Sequence, residues 1–183
     1  MTAASASVLL LVDGYNMIGA WKTLKPKGAS DRSGLEASRL RLVRDLIDYS
    51  AFQGYTTQVV FDAQQRDSPG NCEHMTEQLT IYFTDFGQTA DSYIERYCAL
   101  ARHDYSSLPQ RIIVATSDRV HQLTVVGYGA EWMSAQQLFL DVQAVNQLIR
   151  QKRQKADRQS ERRSLAHRLD PAAKQRLEQL RRG

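Results

Sequence analysis

The sequence predicts an α/β protein: a three-layer α/β/α sandwich with a mostly parallel sheet. Short apolar segments alternate with longer amphipathic segments along most of the 183 residues. Such alternation is typical of strands joined by helical crossovers, which place helices on both faces of a parallel sheet. Hydrophobic residues make up 42% of the chain, which is enough for a packed core.

Each element is predicted from its own pattern. VLLLVD at 8–13 is a continuous apolar run, as in strands that are buried on both faces. Similar runs predict four more strands, at 56–62, 79–84, 111–118 and around 131–133. Helical spacing of apolar residues predicts helices at 35–52, 90–104, 119–126 and from 135 onward. Polar composition with Gly or Pro predicts loops at 22–34 and 63–75.

The charge of the chain changes sign toward its carboxyl end. Residues 1–149 carry 12 Lys and Arg against 16 Asp and Glu, whereas residues 150–183 carry 12 against 4. We therefore expect an α/β domain at 7–150 and a basic, helical extension at 151–183, in which Asp170-Pro171 opens a final helix. A basic extension of this kind favours an anionic partner, with nucleic acid ahead of a membrane surface.

Cysteines, histidines and apolar runs exclude several classes of protein. Cys72 and Cys98 lie far apart, so neither a disulfide framework nor a Cys-based zinc site is expected, and a reducing compartment fits. The four histidines, His74, His103, His121 and His167, are scattered, so they are not expected to form a zinc site either. Val8–Val12 is too short for a signal segment, and no window approaches the roughly 20 apolar residues that span a bilayer. The expectation is a soluble, cytoplasmic protein without a membrane partner.

Acidic residues follow the predicted strands. Asp13, Asp62 and Asp118 each end a strand, and Asp91 opens the helix that follows the third strand. Ligands of open parallel sheets bind beyond the carboxyl ends of the strands, so these four carboxylates should converge there. Glu95 lies one helical turn after Asp91 and shares its helix face.

Carboxylates that are packed together repel and raise one another's pKa values. A divalent cation removes this conflict, and Mg²⁺ or Mn²⁺ prefers oxygen ligands. Such a cation activates water and stabilises charge on a phosphoryl group. The alternative for each aspartate is a helix cap. Asn16, three residues after Asp13, would hold a phosphate or a metal-bound water, or else close a turn.

Two other phosphate-handling motifs do not fit. Haloacid-dehalogenase-like phosphatases need a second aspartate two residues after the first, where this chain has Tyr15. A dinucleotide fingerprint needs three glycines as GxGxxG, but Trp132 stands in the third position after Gly127 and Gly129.

Four motifs together resemble a known family. VDGYN (12–16), VVFDA (59–63), TADSYIE (89–95) and ATSD (115–118) occur in this order. They resemble the YacP-type branch of the NYN domains, which are relatives of the PIN-domain ribonucleases. The flanking stretches IGAW (18–21) and GYGAEWMSAQQL (127–138) agree, so the resemblance covers about residues 7–150.

The resemblance implies a metal-dependent endoribonuclease with a PIN-like fold, which uses Mg²⁺ or Mn²⁺ and cleaves mRNA in association with the ribosome. Carried over by position, the catalytic residues would be Asp13, Asp62, Asp91, Asp118 and Asn16. Asp13 and Asp91 would bind the metal directly, and Asp118 directly or through water. Asp62 would stand beside these ligands.

Basic residues must hold RNA against the acidic body. Arg32, Arg39 and Arg119 lie near the predicted carboxyl edge and would contact phosphates, but the extension at 151–183 is the stronger electrostatic candidate. A second hypothesis is a non-catalytic RNA- or ribosome-binding module. It is motivated by the basic extension and by the turn before TADSYIE, often acidic in the family, which here contains Gln88.

Overall fold

The computed structural model of the chain describes residues 8–25, 32–62, 70–102 and 111–168, together with residue 179. Within these ranges the strands are β1 (Val8–Asp13), β2 (Thr56–Phe61), β3 (Asn71–His74), β4 (Leu79–Phe83), β5 (Arg111–Ala115) and β6 (Glu131–Met133). They form one sheet in the order β3-β4-β2-β1-β5-β6. Every neighbouring pair is parallel except β3 and β4, which are antiparallel. The predicted α/β fold with a mostly parallel sheet is confirmed.

The first strand is central, which explains its apolar sequence. Leu10 pairs with Thr57 of β2 on one side and with Ile113 of β5 on the other. Leu10, Leu11 and Val12 are fully buried because helices cover both faces of the sheet at this point.

The described helices form two layers around the sheet. They are α1 (Gly14–Ala20), α2 (Arg32–Gln53), α3 (Ala90–Ala101), α4 (Arg119–Gly127) and α5 (Ala135–Arg168). On one face, Ile94 of α3 and Val125 of α4 share a core cluster with Leu11. On the other face, the Ser50 hydroxyl of α2 lies 2.6 Å from the Thr57 hydroxyl of β2. The three-layer arrangement that the sequence predicted is therefore present.

Two elements differ from the sequence-based expectation. β3 lies inside the predicted loop at 63–75, and its four residues are all exposed, so no apolar pattern marks it. Backbone pairing with β4 alone defines this edge strand. α1 begins at Gly14, where no helix was predicted, and the Asp13 side chain caps it.

The carboxyl-terminal part of the chain is helical as far as it is described. α5 continues past residue 150, and residues 151–160 are all exposed. The chain divides into two compact units, Met1–Val145 and Asn146–Gly183. A basic extension that begins at 151 stays a prediction, and the helix predicted at Asp170-Pro171 lies outside the described residues. Among the described helices, none is both long and apolar enough to cross a membrane.

Candidate metal centre at the carboxyl edge of the sheet

The alternation of β1 directs Asp13 toward the layer of α3 and α4. Successive side chains of a strand point to opposite faces of the sheet. Leu9 and Leu11 belong to the cluster beneath α3 and α4, so Asp13 faces the same layer. Asp91 lies in the first turn of α3, and His121 lies near the start of α4. One ligand atom from each of these three residues lies within 4.8 Å of the others.

The carboxylate of Asp13 is buried, which disfavours its charged form. Its side chain is only 8% exposed. The pKa of Asp13 is raised to about 7, mainly by burial and further by the nearby charges of Asp91 and Asp62, while the Asn16 backbone N–H acts in the opposite direction. The Asn16 N–H donates to Oδ1 of Asp13 over 3.0 Å, which makes Asp13 the cap of α1. Asp13 is therefore both a helix cap and a member of the cluster with Asp91 and His121.

Asp91 and His121 form the other half of the cluster. Oδ1 of Asp91 lies 2.7 Å from Nδ1 of His121, whose side chain is 1% exposed. This imidazole contact lowers the pKa of Asp91, although burial acts in the opposite direction. Burial lowers the pKa of His121, but Asp91, Glu95 and Asp13 together outweigh that effect and raise it. The imidazole of His121 thus partly offsets the repulsion between the two carboxylates.

Contacts within the cluster do not satisfy all of its buried polar atoms. Among the described residues, Oδ1 of Asp91 and both ring nitrogens of His121 are buried polar atoms that make no hydrogen bond of good geometry. Buried polar groups of this kind are costly unless a further partner satisfies them. Two carboxylates and an imidazole are ordinary ligands for a divalent transition metal, and carboxylates suit Mn²⁺ or Mg²⁺. The residues therefore fit a bound divalent cation.

Asp62 and Asn16 hold neighbouring segments in place. The Ala90 N–H donates to Oδ1 of Asp62, so Asp62 ties the end of β2 to the start of α3, one residue before Asp91. Burial raises the pKa of Asp62, and the charge of Asp91 adds to this effect. The Ser117 N–H donates to Oδ1 of Asn16 over 2.8 Å, which joins the loop after β5 to α1.

Asp118 is exposed and caps α4. Its Oδ1 accepts hydrogen bonds from the N–H groups of Val120, at 2.7 Å, and His121, at 3.2 Å. Asp118 therefore anchors the turn that carries His121. It is not a member of the group of ligand atoms within 4.8 Å, and its role as a metal ligand stays a prediction.

The predicted phosphate-binding arginines have different surroundings. Arg39 pairs with Glu36, and its guanidinium carbon lies 6.0 Å from the ring centre of Phe61 and 5.8 Å from that of Phe83. Arg119 is exposed beside Asp118 at the start of α4. The Arg32 side chain lies outside the described part of the chain. Phosphate binding by all three stays a prediction.

Gly14 allows the close packing next to Asp13. A Cβ at this position would lie 2.2 Å from Cε1 of Phe61, which is shorter than any real contact of that kind. The Phe61 ring also packs edge-on against Tyr15, with 5.1 Å between ring centres. The glycine after Asp13 is therefore explained by a neighbouring ring, in addition to the change of chain direction.

His121 is the site residue that sequence reasoning missed. The scattered histidines suggested that none of them takes part, and the cluster was expected to be purely acidic. The available signal was position: His121 falls three residues after a strand-end aspartate, in the first turn of a helix at the carboxyl edge.

Comparison with known proteins agrees with this fold. The chain matches the YacP-like NYN domain over residues 10–182. It is 33% identical to the protein YacP of Bacillus subtilis (strain 168) over 141 aligned residues. The alignment covers 77% of this chain and 78% of the relative. The chain belongs to the YacP-like NYN family. The NYN domain is a PIN-like nuclease domain, and membership indicates an RNA-cleaving role.

Solved structures of the family share the fold. A crystal structure of Rae1 (YacP) from Bacillus subtilis superposes with a TM-score of 0.64 and 31% identity, and covers 96% of this chain and 95% of that one. A single-residue variant of the same protein superposes with a TM-score of 0.65 and 32% identity, over 81% and 83% of the two chains.

Proposed function

We propose that this protein is a Mg²⁺- or Mn²⁺-dependent endoribonuclease that hydrolyses phosphodiester bonds of RNA, and that its target is mRNA on the ribosome. The observation that carries the nuclease function is the cluster of Asp13, Asp91 and His121 at the carboxyl edge of a sheet of the NYN family. A binding module would have no use for the buried carboxylate of Asp13 beside the half-exposed carboxylate of Asp91, because like charges so close together cost stability.

Asp13 and Asp91 would hold the cation, with His121 as a third ligand or as the group that orients Asp91. When bound, the cation activates a water for in-line attack and stabilises the charge that develops on the phosphoryl oxygens. Asp62 fixes the start of α3 and so the place of Asp91. Asn16 and Asp118 fix the turns that carry Asp13 and His121.

Positive charge for the RNA comes from outside this cluster. Residues 151–160 of α5 are exposed, and they include Arg153, Lys155 and Arg158. Contacts of such residues with phosphates are sequence-independent and weaken as salt increases. We assign this segment to the RNA or ribosome, and the ribosomal target rests on the family resemblance together with this charge.

Cleavage of labelled RNA by the pure full-length protein tests the nuclease function. We expect Mn²⁺ to support cleavage and EDTA to abolish it. Asp13→Asn and Asp91→Asn should each lower the rate by about 100-fold or more, since even the loss of groups that only support a metal ligand costs 10–100-fold. Glu131→Gln is the matched control, because it removes an exposed carboxylate at the opposite edge of the sheet.

The assay is run on naked RNA and on translating ribosomes, since a ribosome-dependent enzyme is inactive on naked RNA. Equal cleavage by the wild type and both aspartate variants would show that the cluster is not catalytic. RNA binding without Mn²⁺ binding or cleavage on either substrate would favour the non-catalytic module. The hypothesis of a non-catalytic module further predicts that RNA binding survives Asp13→Asn and is lost when residues 151–183 are removed.

A further inference from the structure

A largely apolar pocket with polar groups at its rim lies on the α3 side of the sheet. Its volume is about 260 Å³. We call it the tyrosine pocket, and its lining includes Tyr82, Asp85, Gln88, Tyr93, Arg96 and Tyr97. The residues come from β4, from the loop between β4 and α3, and from one face of α3. None of them belongs to the candidate metal centre.

Aromatic rings dominate the wall of the tyrosine pocket. Tyr82 and Tyr93 stack with 4.2 Å between ring centres and an angle of 22° between the ring planes. The Tyr93 hydroxyl donates to Oε1 of Gln58 over 3.3 Å, which fixes the ring. Burial raises the pKa values of Tyr82, Tyr93 and Tyr97, so all three phenols stay neutral at physiological pH. Neutral, fixed rings are suited to stacking.

Charged and amide groups complete the pocket. Arg96 is exposed at its rim, and Asp85 and Gln88 stand on the loop side. Arg96 supplies a cation for a phosphate, whereas Asp85 and Gln88 offer acceptors and a donor to the edge of a base. Stacking rings beside one cation is the arrangement by which proteins hold single-stranded nucleic acid.

The loop that carries Asp85 and Gln88 is held by its own hydrogen bonds. The Gly70 N–H donates to Oδ1 of Asp85 over 2.7 Å, and the Thr84 hydroxyl donates to the Gln88 carbonyl over 2.6 Å. Asp91 follows Gln88 by three residues. The loop that lines the tyrosine pocket therefore leads directly into the first turn of α3, which carries Asp91.

We propose that the tyrosine pocket binds one unpaired nucleotide of the RNA substrate, with its base stacked against the tyrosine wall and a neighbouring phosphate at Arg96. This role presupposes the ribonuclease function proposed above and adds a substrate requirement: the RNA near the cleaved bond is single-stranded. A base within a duplex is stacked on its neighbours and paired, so it cannot enter a pocket of this size.

Binding of RNA to the full-length Asp13→Asn protein tests the pocket, with EDTA present so that metal-dependent cleavage does not consume the probe. The probes are a short fluorescent single-stranded RNA and an oligomer of the same length whose residues lack bases. We expect tighter binding of the RNA with bases by about 10-fold, since stacking contributes about 1–3 kcal/mol per base. Tyr82→Leu should abolish this preference, and Tyr82→Phe should retain it because the ring is kept.

Arg96→Gln tests the phosphate contact at an exposed position, so it remains informative if Tyr82→Leu does not fold. It should weaken the binding of both oligomers and lower the slope of log affinity against log salt by about one. Arg44→Gln, an exposed arginine on α2 outside the pocket, is the control and should change neither. A base preference that persists in folded Tyr82→Leu, or an Arg96→Gln protein that binds like the control, would overturn the assignment.

The outcomes separate the pocket from the nuclease function. If the wild type never cleaves RNA but shows base-dependent binding that needs Tyr82, the proposed nuclease function is wrong and the nucleotide-binding role of the tyrosine pocket is supported. If the wild type cleaves RNA but binds both oligomers equally, the nuclease function is supported and the nucleotide-binding role of the tyrosine pocket is wrong.

Discussion

The two ends of the parallel sheet differ in how their charged side chains are exposed and paired. At the amino edge, where β5 and β6 begin, Arg111 and Glu131 are exposed and joined by two hydrogen bonds of 2.5 and 2.6 Å. At the carboxyl edge, Asp13 and Asp91 lie together with His121, and buried polar atoms of this group lack good hydrogen bonds. An exposed pair of opposite charges is self-sufficient, whereas a buried carboxylate beside a second carboxylate is stabilised by a proton or a cation. Charge at the carboxyl edge therefore costs stability unless such a partner is bound.

The largest expected effect is the pH dependence of stability that Asp13 causes in the absence of metal. Its pKa is raised from 3.8 to about 7 in the folded state, so the folded protein holds the proton more tightly than the unfolded chain. Between these values, stability falls as pH rises, by a few kcal/mol. The raised pKa of His121 acts in the same direction. Asp13→Asn should therefore stabilise the protein more at pH 8 than at about pH 5.

Urea unfolding in EDTA at both pH values measures this difference. The Asn side chain still offers an oxygen to the Asn16 N–H, so the cap of α1 is retained. Glu131→Gln, at the amino edge, should show no such gain at pH 8. An Asp13→Asn protein with the same pH dependence as the wild type would mean that the two edges do not differ in this way.

Metal binding is the next effect in size. A ligand that binds only the folded state at about 100 times its dissociation constant adds about 2.7 kcal/mol of stability. For a chain of this length, Mn²⁺ should then raise the unfolding midpoint by about 5–10 °C. Asp91→Asn should remove the shift, and Glu131→Gln should keep it, as followed by scanning calorimetry with and without Mn²⁺. An undiminished shift in Asp91→Asn would place the cation elsewhere.

The carboxyl edge is also where sequence reasoning both succeeded and failed. Asp13 and Asp91 could be placed together because strand ends and the first turn after a strand are readable from local pattern. His121 was missed although it too stands in the first turn of a helix after a strand, because its contact with Asp91 depends on how α4 packs against α3, and local pattern does not show that packing. The edge strand β3 was missed for a related reason, because its exposed polar residues pair only through their backbone.

Packing beside Asp13 gives a smaller effect. A Cβ on Gly14 would overlap the Phe61 ring, and overpacking of this kind costs about 1–3 kcal/mol. Gly14→Ala should lower the free energy of unfolding by that amount. Gly127→Ala is the matched control, because its Cβ would meet nothing within 4 Å. Equal stability of the two variants in urea would show that the ring moves aside and that packing at the carboxyl edge is loose.

The smallest effect is expected at the amino edge. Arg111 and Glu131 are both exposed, and exposed ion pairs contribute little because water and salt screen them. Arg111→Gln, Glu131→Gln and the double variant should unfold within a narrow range of temperature, and the small differences should shrink as salt is added. Thermal unfolding at low and high salt measures this. Destabilisation as large as that of Gly14→Ala would mean that the pair holds β6 to the sheet. Charge at the amino edge would then be structural, in contrast to the role in cation binding that we propose for charge at the carboxyl edge.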